Sequence, residues 1–174
     1  MVKLPYELER IAKAQEITDM AFEHILGFIN HNVTEIEVAL ELEFFMRSHG
    51  AEALAFDTIA VSGPASSLPH GVPTNVKLRA GFLTMDYGAK IDGYCSDMTR
   101  TIVIGKADAE MKRLYNTVLE AQLAALAADV NAGNSYAGWT INLAANIDLT
   151  NKSWTPIGTD LSKCFSGIFD GNGY

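Results

Sequence analysis

A stretch of β-branched and aromatic residues from Phe82 to Ile104 constrains this fold more than any other part of the sequence. Such residues favour extended strands, because their side chains pack well on a pleated surface. The stretch is interrupted by Lys90-Ile91-Asp92-Gly93, and an Asp-Gly pair between two strand-forming runs is a strong signal for a tight turn. The sequence therefore predicts an antiparallel hairpin over these residues.

Two aspartates, Asp86 and Asp97, lie on opposite strands of this hairpin. If the turn is centred between residues 91 and 92, the two carboxylates face each other with about 5 Å between their β-carbons. If Asp92-Gly93 is the central pair instead, Asp86 faces Thr99. Asp97 is then the diagonal neighbour of Asp86 on the same face. Both registers place the two carboxylates together.

Like charges opposed in a strand pair are destabilising unless a cation lies between them or one of them takes up a proton. A divalent cation satisfies this condition most simply. Two carboxylates on one rigid face can bridge two such ions, and the ion pair would activate water for attack on a carbonyl. The alternative is an exposed hairpin with two solvated aspartates, and spacing alone leaves both interpretations open.

Helical periodicity predicts three helices that would accompany the hairpin. The first spans residues 7–30, the second follows the capping box Thr34-Glu35-Ile36-Glu37 and ends near Gly50, and the third begins at Asp108 and continues to about residue 128. The predicted inward positions are Ile11, Ala14, Ile17, Ala21, Ile25 and Phe28, then Val38, Leu42 and Phe45, then Met111, Leu114, Val118 and Leu123 or Gln122.

Between the second helix and the hairpin, residues 57–61 resemble a short strand and residues 62–73 an irregular loop with three prolines and two glycines. His70 lies in this loop. A lone histidine says little beyond its ability to titrate near neutral pH, so a loop histidine with one backbone hydrogen bond is the simplest interpretation. The flanking prolines would stiffen the loop in either case.

Charge and cysteine content narrow the class of protein. A net charge of −8 argues against a nucleic-acid-binding protein and against a polybasic membrane-surface protein. No apolar run is long enough to span a membrane and the first residues turn charged early, so we expect a cytoplasmic protein. Cys95 and Cys164 are 69 positions apart, which favours two buried thiols over a disulfide or a thiolate metal site.

The composition changes near residue 120. Residues 1–120 contain 28 charged positions, whereas residues 121–174 contain six and are rich in asparagine and glycine. We interpret the change as a domain boundary, with a first domain at residues 1–122 and a β-rich segment at residues 123–174. The predicted fold class is α/β (α+β), with helices packed on a hairpin-based antiparallel sheet, followed by a short all-β segment.

Three motifs carry a resemblance to a known family. They are Leu68-Pro69-His70-Gly71-Val72-Pro73, Leu78-Arg79-Ala80-Gly81 and the run from Met85 to Thr101. Together they closely resemble the pita-bread metallo-exopeptidases, which include Xaa-Pro aminopeptidase, prolidase, methionine aminopeptidase and creatinase-like proteins. The resemblance spans about residues 7–122. It implies the first half of a pita-bread domain and removal of an amino-terminal residue, one that precedes proline.

The resemblance also implies roles for individual residues. Asp86 and Asp97 correspond to two of five ligands of a dinuclear site that holds manganese, cobalt or zinc. His70 corresponds to a histidine that lines the pocket for the peptide substrate. Thr99, two residues beyond Asp97 and on its face, would support that ligand by hydrogen bonding.

The chain departs from the family pattern downstream of the aspartates. The family's remaining ligands, one histidine and two glutamates, come from a second half, yet no histidine follows His70 and only Glu110 and Glu120 follow Asp97. Two carboxylates alone leave most coordination positions to water. We therefore expect weak or absent metal binding, no peptidase turnover from this chain alone, and self-association through an apolar face that a second half would cover.

Residues 120–174 carry a second likeness. Trp154-Thr155-Pro156-Ile157-Gly158 and the run from Phe165 to Tyr174 resemble one unit of the glycine-rich β-solenoid repeats of bacterial surface proteins. A peptidase half beside a surface-protein repeat suggests a chimera that changes source near residue 120. The rival functional hypothesis is accordingly a non-catalytic fragment whose β-segment serves interaction or assembly.

Overall fold

The computed structural model describes residues 3–137, 140–142, 156–159 and 162–170, and it divides into two compact units, Met1–Ala107 and Asp108–Tyr174. The first unit contains α1 (Pro5–Phe28), α2 (Glu35–Ser48), β1 (Ala53–Leu54), β2 (Ile59–Ser62), a 3₁₀ turn (Gly63–Ser67), β3 (Gly81–Tyr87), β4 (Ala89–Ile91), β5 (Tyr94–Cys95) and β6 (Met98–Ile104). The second unit contains α3 (Ala109–Asn131), β7 (Thr140–Asn142) and β8 (Ile168–Asp170).

The predicted hairpin is confirmed, and it contributes to two antiparallel sheets. Its long arms, β3 and β6, pair with each other in a sheet of order β2-β3-β6, and its tip forms part of a sheet of order β1-β4-β5. Asp92 and Gly93 have φ values of +49° and +85°, the left-handed geometry of a two-residue hairpin turn. The register centred on Asp92-Gly93 is therefore right, and the alternative centred between residues 91 and 92 is wrong.

The core of the first unit lies between the two helices and the sheets. Four of the six predicted inward positions of α1 are buried, and Ile11 and Phe28 are half-buried. The helices bury apolar side chains together with those on one face of the β3 and β4 strands: Ile17, Ala21, Ile25, Val38, Leu42, Met46, Leu83, Met85, Tyr87 and Ala89. The sheet face that carries Met85 and Tyr87 is thus covered, so the opposite face carries Asp86.

The predicted start and end of α2 are confirmed. The Thr34 hydroxyl accepts a hydrogen bond from the Glu37 amide at 3.2 Å, and the Glu37 carboxylate accepts one from the Thr34 amide at 2.7 Å. Gly50 follows the last turn with φ of +106°, a conformation that glycine adopts without the steric cost of a Cβ atom. The Thr34 and Glu37 cap fixes the angle between α2 and the segment that precedes it.

The predicted cap of α3 is confirmed, but two of its predicted inward residues are wrong. Asp108 accepts a hydrogen bond from the Met111 amide at 2.8 Å, whereas Leu114 and Val118 are exposed. Burial is concentrated near the other end of the helix, at Leu123, Ala127 and Val130. There the Asn131 side chain bonds the backbone of residues 156–159, so the packing partner of α3 lies beside its last turns.

Two further expectations differ from the structure, and the domain boundary at residue 122 stays a prediction. Cys95 and Cys164 are both exposed, so the prediction of buried thiols is wrong, and Cys95 lies on the edge strand of its sheet. The loop predicted over residues 62–73 contains the 3₁₀ turn. The compositional boundary at residue 122 falls inside α3, and the two units divide between residues 107 and 108.

The β-rich segment is described only in part. β7 and β8 pair in parallel, with Ile141 opposite Phe169. Residues 143–155, which include Trp154 of the solenoid-like motif, lie outside the described residues, as do residues 171–174. The solenoid-like repeat therefore stays a prediction. Among the described residues, no helix combines the length with the apolar character that a membrane span requires.

Candidate metal and peptide site

Asp86 lies on the central strand of the β2-β3-β6 sheet and points away from the core. Its neighbours Met85 and Tyr87 are fully buried, and Asp86 itself is half-buried. It pairs with Ile59 of β2 on one side and with Thr99 of β6 on the other. The Thr99 hydroxyl donates a hydrogen bond to Asp86 Oδ1 at 2.9 Å. This bond orients the carboxylate, while Oδ2 accepts no hydrogen bond from the described residues and is available to a ligand.

Asp97 lies immediately before β6 and shares the face of Asp86. Asp97 is exposed, Met98 is buried and Thr99 is exposed, which is the alternation of a strand with one covered face. Because Thr99 stands opposite Asp86, this alternation places Asp97 diagonally from Asp86 on the same side of the sheet. Within the described residues, the Asp97 carboxylate makes no hydrogen bond or ion pair.

The segment that carries Asp97 is held against the hairpin by Ser96. The amide of Ser96 donates to the Ala89 carbonyl at 2.9 Å, and the Ser96 hydroxyl accepts from the Ala89 amide at 2.9 Å. Gly88 makes this crossing possible, because a Cβ atom there would lie 2.1 Å from the Ser96 carbonyl oxygen. The chain therefore needs glycine at 88 to bring the two carboxylate-bearing segments together.

Arg100, the cation nearest to the aspartates in sequence, is engaged elsewhere. Its guanidinium donates to the Thr99 carbonyl at 2.9 Å and lies 5.7 Å from the centre of the Phe22 ring. Among the described residues, Arg100 therefore forms no ion pair with the Asp86 or Asp97 carboxylate.

The predicted partner of Thr99 needs correction. The sequence predicts that the Thr99 hydroxyl supports Asp97, but the hydroxyl bonds Asp86. The hairpin register explains the difference. Asp86 is the direct cross-strand partner of Thr99, whereas Asp97 precedes Thr99 by two residues in the same segment of chain. Thr99 still serves as a hydrogen-bond donor that orients one of the two carboxylates.

His70 is exposed on the loop between the 3₁₀ turn and β3. In the described residues it forms no hydrogen bond, either to a backbone carbonyl or to Asp86 and Asp97. The adjacent Gly71 packs against β2, where an added Cβ would lie 2.9 Å from Val61 Cγ1. The structure thus fixes the loop beside His70 and leaves the imidazole itself accessible.

The structure shows that Glu35 is a buried carboxylate, and the sequence gives no sign of this burial. It lies at the first turn of α2 with only 4% of its surface exposed, and Ser62 and Thr74 donate hydrogen bonds to it. In the sequence it is simply an acidic residue at a helix start, which is a common position for a solvated side chain. Its partners are 27 and 39 residues away, so local patterning could not find them.

The donor set at the sheet is suited to hard divalent cations. Two carboxylates on one rigid face supply the oxygen ligands that such ions prefer, and one of the carboxylates is oriented by a hydrogen bond. The set is partial, because among the described residues no group of three or more histidine, cysteine, aspartate or glutamate side chains could surround an ion. The residues present therefore fit one side of a metal centre.

Comparison with known proteins relates this arrangement to peptidases. Residues 9–158 match the model of metallopeptidase family M24. The chain is 43% identical to a Xaa-Pro dipeptidase of Pyrococcus furiosus over 129 residues, which is 74% of this chain and 37% of the relative. It is 46% identical to an uncharacterized peptidase of Bacillus subtilis over 123 residues, covering 70% of this chain and 35% of the relative.

Solved structures of peptidases are also similar to this chain. A Xaa-Pro dipeptidase from Bacillus anthracis superimposes with a TM-score of 0.69 at 50% identity, over 72% of this chain and 36% of the other. An X-Pro aminopeptidase from Thermotoga maritima gives a TM-score of 0.69 at 43% identity, with the same coverage of both chains. This chain spans little more than a third of the length of these relatives and matches the first half of their pita-bread catalytic domain. The family match covers most of the chain, and the chain therefore belongs to metallopeptidase family M24.

Proposed function

We propose that this chain contributes the amino-terminal half of a divalent-metal-dependent peptidase that removes the first residue of a peptide, one that precedes proline. The observation that carries the proposal is the shared face of Asp86 and Asp97, with Asp86 oriented by Thr99. The relatives named Xaa-Pro dipeptidase and X-Pro aminopeptidase support the preference for proline.

Each residue has a defined part in this proposal. Asp86 and Asp97 would hold the ions, which are manganese, cobalt or zinc by resemblance, and Thr99 keeps the Asp86 carboxylate turned toward them. Bound divalent ions would polarise the scissile carbonyl and lower the pKa of a water molecule. His70 would contact the peptide from a loop stiffened by Pro69 and Pro73.

We further propose that these 174 residues do not turn over substrate by themselves. The resemblance calls for one histidine and two glutamates beyond the aspartates, and the sequence has no histidine after His70. Of the two later glutamates, Glu110 is exposed in the first turn of α3. A second half, in a longer chain or a separate polypeptide, would supply the missing ligands and the far wall of the cleft, and we propose the cytoplasm as the place of action.

A second candidate is a non-catalytic fragment whose β-segment serves assembly. The parallel pairing of β7 with β8 favours it, because stacked coils of a β-solenoid pair in parallel, whereas a hairpin pairs antiparallel. Under this hypothesis the two aspartates are solvated and bind no metal, so metal binding separates the two candidates.

Calorimetric titration with Mn²⁺ tests the proposal on the chain as it is. We expect weak, saturable binding that Asp97→Asn reduces at least tenfold, since one of two carboxylate ligands is lost. Asp92→Asn is the matched control: it removes the same charge from the same hairpin, at a turn position that asparagine tolerates. It should leave Mn²⁺ binding unchanged.

The same proteins are then assayed for release of the first residue from an Xaa-Pro peptide in Mn²⁺. We expect no release from the chain alone, and release once the carboxyl-terminal half of a related family member is added. Absence of any Mn²⁺ binding, or equal binding by the wild type and Asp97→Asn, would contradict the proposed site and favour the assembly fragment.

A further inference from the structure

One buried carboxylate holds both ends of the loop that carries His70. Glu35 Oε1 accepts hydrogen bonds from the Ser62 amide at 2.7 Å and from the Ser62 hydroxyl at 2.8 Å. Glu35 Oε2 accepts from the Thr74 amide at 3.1 Å and from the Thr74 hydroxyl at 2.7 Å. Ser62 is the last residue of β2 and Thr74 lies four residues after His70, so each carboxylate oxygen binds one end of the loop.

The hydrogen bonds around Glu35 favour the ionised form of its buried carboxylate. Burial raises the pKa of Glu35, but the hydrogen bonds from Thr74 and Ser62 outweigh that effect and bring the pKa below its ordinary value. Hydrogen bonds to an ionised acceptor are shorter and stronger than those between neutral groups. Four of them on one carboxylate satisfy the group fully, which is why it tolerates burial.

The loop between these two ends is packed at several points. The Ser66 hydroxyl donates to the Gly63 carbonyl at 2.6 Å within the 3₁₀ turn, and Gly71 lies against Val61 of β2. At the far end, the Ile36 amide donates to the Thr74 carbonyl at 3.1 Å. The first turn of α2 therefore holds the end of the loop through its backbone as well as through Glu35.

We propose that Glu35 is a positioning residue that sets the place of His70 relative to the Asp86 and Asp97 face. β2, where the loop begins, pairs directly with β3, so Ser62 and Asp86 belong to one sheet. Fixing both ends of an eleven-residue loop removes much of its conformational freedom and leaves His70 in one place. Only the identity of the molecule that His70 contacts rests on the proposed peptidase function.

The test compares variants by NMR on the metal-free chain, without peptide. Glu35→Gln keeps the shape of the side chain, but its amide nitrogen cannot accept, so one end of the loop loses its two hydrogen bonds. We expect amide exchange of Ser62 or Thr74 to rise at least tenfold, and the His70 ring signals to shift or broaden. Amide exchange of the buried α2 residue Leu42 should not change.

Glu37→Gln is the matched control, because it removes the same charge two residues further along α2, and the Glu37 carboxylate bonds only Thr34. It should leave the His70 signals in place. Thr74→Val and Thr74→Ser form a second comparison: valine removes one hydroxyl donor to Glu35, and serine retains it. We expect the valine variant alone to loosen the loop, and this pair decides the matter if Glu35→Gln does not fold.

Unchanged His70 signals and unchanged loop exchange in a folded Glu35→Gln protein would overturn the proposal. Equal behaviour of Thr74→Val and Thr74→Ser would also overturn it. Because these measurements use neither metal nor peptide, they do not depend on the proposed activity. A chain that shows the loop effects but binds no Mn²⁺ would retain the role of Glu35 and refute the peptidase site.

Discussion

At the scale of single residues, the acidic side chains differ in how fully their acceptor capacity is used. Glu35 is buried and accepts four hydrogen bonds from Ser62 and Thr74, so it has no need of another partner. Asp86 accepts one from Thr99, and Asp97 accepts none within the described residues. A carboxylate held on a rigid sheet with spare acceptors is available to a cation, whereas a saturated one is structural.

Gly88→Ala tests the close crossing on which this arrangement depends. The new Cβ would lie 2.1 Å from the Ser96 carbonyl oxygen and 2.8 Å from Ala55 Cβ, so backbone must move. We expect a loss of about 2–4 kcal/mol in the free energy of unfolding, measured by urea denaturation. Gly27→Ala is the control, because that helical position has open space; it should gain about 0.5 kcal/mol. Equal stabilities for the two variants would contradict the tight crossing.

At the scale of elements, α2 is the part that organises the first unit, since its first turn caps the helix and also holds the His70 loop. Its cap depends on an ionised Glu37: hydrogen bonds from the Thr34 backbone and hydroxyl lower the pKa of Glu37 below its ordinary value of 4.5. A lowered folded-state pKa contributes stability above the unfolded value, and that contribution is lost as the pH falls through the folded value.

Glu37→Gln should therefore be destabilising at about pH 7, and its difference from the wild type should shrink at an acid pH, as the pH falls through the lowered folded-state pKa of Glu37. Urea denaturation at both pH values measures the difference in unfolding midpoint. Glu16→Gln, an exposed position within α1, controls for the loss of one negative charge. A Glu37→Gln effect that is the same at both pH values would show that ionisation of Glu37 does not support the cap.

Elements were predictable where their determinants are adjacent in sequence. The capping box at Thr34 and the Asp108 cap were predictable because each involves residues three positions apart. The Asp-Gly turn was consistent with the correct register, but the sequence did not exclude the register centred between residues 91 and 92. Both registers keep the two aspartates on one face of the sheet. The buried face of α3 and the hydrogen bonds of Glu35 depend on segments about 25 to 39 residues away, which periodicity does not encode.

At the scale of the whole molecule, exposed apolar side chains bear on whether the protein associates with itself. α2 presents Leu40 and Phe44, which are 57% and 69% exposed and one helical turn apart, and α1, which packs on α2, presents Leu26. Clustered apolar surface of this kind marks an interface or a tendency to associate. In a chain that matches little more than a third of its relatives' length, we expect this surface to drive self-association.

Sedimentation velocity over a range of protein concentrations measures this association. We expect species heavier than the 18.9 kDa monomer, in proportions that rise with concentration. The double variant Leu40→Lys and Phe44→Ser should shift the distribution toward monomer, because it removes the apolar surface from α2 while leaving buried Leu42 and Met46 in place. Val72→Ser, which removes one exposed apolar side chain from the His70 loop, is the control and should leave the distribution unchanged. If only monomer is observed at every concentration, the exposed apolar face of α2 does not drive association. The apolar surface of this half would then not by itself require a partner.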